Sequence, residues 1–215
     1  MLEKVYIETS VISYLTSRPS RDVVIAGHQQ TTHDWWETQR QQFALIASQL
    51  VIQEASAGNS VFVQKRLEAL KGIPLLATNE AALNLAQVLV KQGPMPQKAT
   101  ADALHIAIAV TNGVEYLLTW NCKHMANANM RSQVERLCRI QGYEPTVICP
   151  PTNSGKMLRN DPIVDEVRQV RERYLASFDY NLQALFDDLK HQEAQSDMDF
   201  VSYPARSIIA TKLAQ

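Results

Sequence analysis

Short apolar segments of strand length alternate with segments of helix length through the first two thirds of the chain, and this alternation most limits its fold. KVYIET reads as a strand and TSVISYLTSR as the helix after it. DVVIAGHQQTTHDWWETQ is a longer helix, with Val24, His28, Thr31, Trp35 and Thr38 along one side. QFALIAS is the second strand, QLVIQEASAG a helix stopped by Gly58, FVQKRLEAL a helix, and IPLLAT the third strand. NEAALNLAQVLVKQ ends at Gly93-Pro94, and KATADALHIAIAVTNG closes at Gly113. EYLLTW and PTVICP, separated by the helix MRSQVERLCRIQG, complete the set. Apolar strands joined by helices predict a parallel sheet covered on both faces, which is an α/β fold.

The composition then changes. CPPTNSGKMLRND carries prolines, a glycine and small polar residues, as a linker does. Beyond it, Asp161 at an N-cap and Pro162 at the first helical position start a new helix. Its apolar residues are read as Ile163, Val167, Val170, Tyr174 and Phe178. A second helix, NLQALFDDLKHQEA, places Leu182, Leu185, Phe186 and Leu189 at helical spacing, and a strand-like DFVSYPARS follows. The division expected is a domain over 1–150, a linker over 151–160 and a helical segment over 161–215. Two such helices cannot form a core alone, so their apolar faces need the first domain. Residues 1–160 hold 15 Lys and Arg against 12 Asp and Glu; residues 161–215 hold 6 against 10. The opposite signs suit an acidic segment lying on a mildly basic surface.

Net charge is −1, so no overall basic field advertises a polyanionic partner. Cys122, Cys138 and Cys149 have no metal-ligand spacing and read as reduced thiols. No signal peptide and no apolar run of bilayer length are seen, so the expectation is a soluble, cytoplasmic protein with no membrane association.

Acidic side chains fall where such a sheet binds ligands, at the carboxyl ends of its strands. Glu8 ends the first strand, where a buried carboxylate needs compensation. Asn121 ends the fourth, Glu54 lies on the helix after the second, and Asp102 sits in the first turn of ADALHIAIAV. His105, three residues after Asp102, is placed beside them. Each has a structural reading too: Glu8 and Asp102 as carboxylates at helix N-termini, Glu54 as a solvated helical acid, Asn121 as a turn residue and His105 as a packed histidine. Together they form an oxygen-rich cluster of the kind that Mg²⁺ or Mn²⁺ neutralises, with the chemistry to orient water toward a phosphodiester.

The segments VYIETSVISYL, QEAS, ADALHIAIAV and YLLTWNCKHMAN resemble, in order and spacing, the PIN-domain nucleases, specifically the toxins of VapBC-type toxin–antitoxin pairs. The resemblance covers roughly residues 1 to 150. It implies a PIN-like three-layer sandwich with a mostly parallel central sheet. It also implies a metal-dependent ribonuclease in which Glu8, Glu54, Asp102 and Asn121 are catalytic and hold Mg²⁺ or Mn²⁺, with Thr9, Ser10, Thr119 and His105 adjacent. RNA is the implied substrate, and a small homodimer the implied assembly. Two positions depart from the family: its first acid is usually aspartate where Glu8 stands, and its fourth is usually aspartate where Asn121 stands. The departure at Asn121 removes a charge and lowers the expected metal affinity, so a catalytically degenerate scaffold for protein or RNA binding is the alternative. From about Met157 the chain resembles the small antitoxin encoded beside such toxins. That implies a C-terminal two-helix antitoxin-like segment acting on its own or a neighbouring domain, with Arg206 as the inhibitory residue entering the acidic cluster and Lys212 behind it. An exposed terminal arginine is the plainer reading of Arg206.

Overall fold

The protein is described by a computed structural model that covers residues 2–151 and 161–208. Most of the expected linker lies outside those residues, as do Met157 and Lys212.

The alternation in the sequence becomes β1 (Glu3–Ile7), α1 (Thr9–Thr16), α2 (Val23–Thr38), β2 (Phe43–Ser48), α3 (Gln49–Ala55), α4 (Ser60–Leu70) and β3 (Leu75–Leu76). It continues with α5 (Glu80–Lys91), α6 (Thr100–Thr111), β4 (Tyr116–Leu118), α7 (Ala128–Ile140) and β5 (Val147–Cys149). The C-terminal part supplies α8 (Pro162–Ala176), α9 (Leu182–Gln195) and β6 (Phe200–Val201). The six strands form one sheet in the order β5-β4-β1-β2-β3-β6, with every pair parallel. The mostly parallel sheet read from the sequence is thus wholly parallel, and the C-terminal segment contributes one of its two edge strands, β6.

Side chains that alternate across strands explain why helices are needed on both faces. Register places Glu3 beside Phe43 and Tyr6 beside Ile46. Phe43 stacks on Trp35 of α2, with ring centroids 6.2 Å apart, on one face. Tyr6 faces the other way and reaches His105 of α6. Among described residues no helix is long and apolar enough to cross a membrane.

Two helical faces differ from their sequence reading by about one position. In α2 the buried residues are Ile25, Gln29, Thr32 and Trp35, while Val24 is exposed. The reason lies just after β4: Thr32 accepts a hydrogen bond from the Trp120 indole, and Trp120 stacks on His28 with centroids 4.2 Å apart. In α8 the buried stripe is Val164, Val167, Val170, Arg171 and Leu175. It contains an arginine, which periodicity of apolar residues alone passes over.

The C-terminal helices share one apolar core with the preceding elements. α8 packs on α1, α3 and α6, and α9 on α3 and α5. Asp161 caps α8 through Ile163 N and Val164 N and also accepts from the Tyr14 hydroxyl of α1, so the cap is a docking contact as well. Glu193 of α9, buried, accepts from Thr78 N just after β3 at 2.8 Å. The segment after β6 runs past the C-terminus of α6, where Tyr203 N donates to Asn112 Oδ1. Gly113 has φ +60°, and a Cβ there would come within 2.4 Å of the Pro204 carbonyl, so glycine is required on both counts.

Arg206 is therefore corrected. Its guanidinium donates to the carbonyls of Val114 and Pro145, at 3.3 and 2.9 Å, and its own carbonyl accepts from Glu144 N. Val114 and Pro145 precede β4 and β5, at the opposite ends of the strands from Glu8 and Asn121. Held there by the backbone path after β6, Arg206 does not reach the acids.

If α9 belongs to the same core as the sheet, Leu185→Ala, which truncates a fully buried side chain, will cost about 2–5 kcal/mol of the whole protein's stability. Chemical denaturation followed by both Trp fluorescence and far-UV dichroism should show one lowered midpoint. Two separate transitions, with only the smaller affected, would contradict this.

Candidate functional site

A parallel sheet binds ligands beyond its strand carboxyl ends, at the place where the strand order reverses. Here the chain moves outward from β1 to β2 and β3, then returns to the other side of β1 with β4 and β5. The crevice lies between β1 and β4. Glu8 follows β1 directly, its backbone N–H donating to Leu118 O of β4 at 3.1 Å, and Asn121 follows β4.

Local structure fixes each side chain. Glu8 is the N-cap of α1; its carboxylate accepts from Ser10 N at 3.2 Å, from the Ser10 hydroxyl, and from Thr119 Oγ1 at 2.7 Å. Glu54, in the last turn of α3, accepts from the Thr9 hydroxyl. Asp102 in the first turn of α6 accepts from Asn121 Nδ2 at 3.1 Å and lies 2.8 Å from His124 Nδ1. His105, one turn along α6, places Nε2 3.1 Å from Glu54 Oε1 and Nδ1 2.7 Å from the Tyr6 hydroxyl. That hydroxyl is in turn 2.6 Å from Ser48 Oγ. All the residues expected at the site from the sequence, Arg206 excepted, are buried and gathered within this one network.

Burying three carboxylates is costly unless a cation compensates them. Arg171 of α8 does so. Its Nε donates to Glu54 Oε1 at 2.5 Å, its Nη1 to Asp102 Oδ1 at 2.7 Å, and its Nη2 to Glu54 Oε2 at 2.8 Å and to Glu8 Oε1. The side chain is only 4% exposed. One planar guanidinium thus links acids from three elements, which a point-charge ammonium could not do with the same geometry. A second arginine of the same helix, Arg168, donates from Nη2 to Asn121 Oδ1 at 2.9 Å and pairs with Asp165. Asn121 accordingly turns its amide nitrogen to Asp102 and its oxygen to Arg168. The reversed amide would set NH₂ against a guanidinium and oxygen against a carboxylate. Asn121 therefore meets the acids as a donor here, where the sequence reading made it an oxygen ligand.

The charges follow from these contacts. Burial disfavours the Glu54 carboxylate, but Arg171 and His105 outweigh it and hold its pKa at about 2. Burial likewise opposes the Asp102 carboxylate, and Arg171 with His124 lowers its pKa below the usual value. Burial also opposes the charge on Arg171, and Glu54, Glu8 and Asp102 together keep it firmly protonated. Tyr6, buried beside acids, is pushed well above its usual pKa and stays neutral.

The donor set suits a divalent cation. Ligand atoms of Glu8, Glu54 and His105 lie within 4.8 Å of one another, and all three residues are buried. In the closed arrangement that position is held by a guanidinium. Arg171, Arg168 and His124 are the residues that the sequence reading missed. For Arg171 a signal existed: it lies four residues after Val167 and four before Leu175, inside an apolar stripe where an unpaired arginine would be costly.

The chain matches no known protein-family model, and comparisons with curated proteins and with solved structures give no significant match.

Two outcomes follow. Arg171→Ala leaves three carboxylates without compensation and should lower stability by about 3–5 kcal/mol, read as a loss of melting temperature in EDTA that added Mn²⁺ partly restores. The carboxylates also set an acid limit. A carboxyl whose folded pKa is depressed stabilises the protein above its unfolded value, and that stability is lost as pH falls toward the folded value. For Glu54, stability should hold down to its ordinary 4.5 and decline from there toward about 2. Denaturant midpoints between pH 7 and 2 check this, and a midpoint already falling between pH 7 and 5.5 would contradict it.

Proposed function

We propose that the chain is a metal-dependent ribonuclease of PIN type, held closed by its own antitoxin-like C-terminal segment. The observation that carries this reading is the position of Arg171: a residue of that segment lies among three buried acids at the switch point of a parallel sheet. A site whose acids converge this way needs positive charge. A closed state in which a separate segment, acidic overall, supplies that charge through one buried arginine is read as an inhibited state of the site.

When bound, a divalent cation would neutralise charge on a phosphate and lower the pKa of coordinated water. Glu8 and Glu54 are the residues to hold it, with Asp102 alongside. Thr9, Ser10 and Thr119 orient those carboxylates through their hydroxyls. Asn121 positions Asp102 and gives the fourth place of the cluster no negative charge, so fewer charges need compensation than in a four-acid site. α8 occupies the crevice that a strand of RNA would enter, so release of α8 is required for cleavage. Inhibition passes through Arg171, with Arg168 beside it.

A second reading, a PIN-fold scaffold without chemistry, is favoured by the completeness of the same network: Arg171 satisfies all three acids and Asn121 commits its oxygen to Arg168. Preparing residues 1–156 and 157–215 as two chains separates the readings. The complex should be inert toward a mixed RNA pool in Mn²⁺, the isolated 1–156 chain should cleave it, and adding 157–215 should restore inhibition unless Arg171 is replaced by Ala. Asp102→Asn should abolish cleavage by the isolated chain. A folded 1–156 chain that binds RNA without cutting it would establish the scaffold instead.

A further inference from the structure

We propose that His105 is a nitrogen ligand of the cation site, and that it makes the site select transition-metal dications over Mg²⁺. This rests on reading the acidic cluster as a metal site, and it changes the donor set of that site from all-oxygen to mixed.

The closed form marks where positive charge is held. Nη2 of Arg171 is surrounded by Glu8 Oε1, by Glu54 Oε2 at 2.8 Å and by His105 Nε2 at 3.2 Å. Two of these three atoms are carboxylate oxygens and the third is an imidazole nitrogen. Asp102 lies on the other terminal nitrogen, Nη1. The group around Nη2 is therefore Glu8, Glu54 and His105, three residues from three separate elements whose ligand atoms are mutually close.

The support behind His105 is that of a ligating histidine. A ligand ring is held through its other nitrogen, which fixes its orientation and tautomer. Nδ1 of His105 is 2.7 Å from the Tyr6 hydroxyl, and that hydroxyl is 2.6 Å from Ser48 Oγ, with all three residues fully buried. Both hydroxyls can donate or accept, so the chain can run in either direction. In the closed form Nε2 lies 3.1 Å from Glu54 Oε1 and 3.2 Å from Arg171 Nη2, so the tautomer of the ring sets which of the two it bonds. With the proton on Nδ1, Tyr6 accepts from Nδ1–H and donates to Ser48, and the Nε2 lone pair faces the site.

Selectivity follows from ligand chemistry. Mg²⁺ takes oxygen donors and dehydrates reluctantly, whereas imidazole favours the later first-row ions, with affinity rising from Mn²⁺ through Co²⁺. A site that offers an imidazole in a buried position gains affinity along that series and gains little for Mg²⁺.

The test uses the full chain with Arg171→Met, which frees the carboxylates while keeping the packed stem; Arg171→Gln is the substitute if that variant does not fold. Calorimetric titration with Mg²⁺, Mn²⁺ and Co²⁺ gives affinities, and pulsed electron paramagnetic resonance of the Mn²⁺ complex reports coupling to ligand nitrogen. Expected are tighter binding of Co²⁺ and Mn²⁺ than of Mg²⁺ and a nitrogen coupling that His105→Gln removes. Tyr6→Phe, which takes away the hydrogen bond behind the ring, should weaken Co²⁺ binding by about 10–100-fold and leave Mg²⁺ binding nearly unchanged. A Mn²⁺ complex without nitrogen coupling overturns the proposal and leaves the oxygen-bound reading standing. So does a coupling that survives His105→Gln and vanishes in His124→Asn. Failure of every ion to bind removes the metal site itself, and both readings with it. Where His105→Gln does not fold, ¹⁵N-histidine labelling in a His124→Asn background decides: an isotope-shifted coupling supports His105, and none overturns it.

Discussion

Three buried carboxylates and one buried guanidinium set the terms for this structure. Glu8, Glu54 and Asp102 come from different elements, and each is placed by local rules: a helix cap, a last turn, a first turn. None of those rules accounts for their meeting. Their convergence would raise the energy of the fold if nothing opposed it, and Arg171 opposes it with hydrogen bonds to all three. The C-terminal segment is in this sense a structural requirement of the closed state, since it brings the charge that the rest of the chain leaves unbalanced.

Docking of that segment is distributed over several contacts. Asp161 links the start of α8 to α1, Arg168 and Arg171 engage the crevice, Glu193 binds the backbone after β3, and β6 extends the sheet. Arg206 belongs to the last of these attachments, tying the tail to the segments that lead into β4 and β5. The residue that enters the acidic cluster is Arg171 of α8, not Arg206. A guanidinium on a helix is held in one orientation by packing, as bridging three acids demands.

Much of the architecture was legible. The alternation of strand and helix, the stops at Gly58 and Gly113 and the Asp161-Pro162 start all correspond to features of the structure. Glu8 and Asp102 were legible because one follows a strand and the other opens a helix, whereas Glu54, in the last turn of α3, had only its nearness to the second strand to mark it. The helical faces of α2 and α8 were read one position away from the buried ones. In α8 this happened because a buried arginine was left out of an apolar pattern, and the stripe that includes it is the one that packs. His105 was placed beside the cluster by its spacing from Asp102, whereas His124 in a loop and Tyr6 in a strand had no separate signal until their partners were known.

What the sequence by itself determined is local: which stretches are strands and helices, that the strands run parallel, and that polar side chains stand at or near their carboxyl ends. These depend on periodicity, on capping and on the need of an apolar strand to be covered on both faces. What only the tertiary structure decided is pairing between distant residues. Arg171 meets Glu8 across 163 positions of chain, and Asn121 turns its oxygen toward Arg168 rather than toward the acids. Such pairings are set by the electrostatics of a buried site, where each charge must find a partner in space. Chain order does not encode which partner that is.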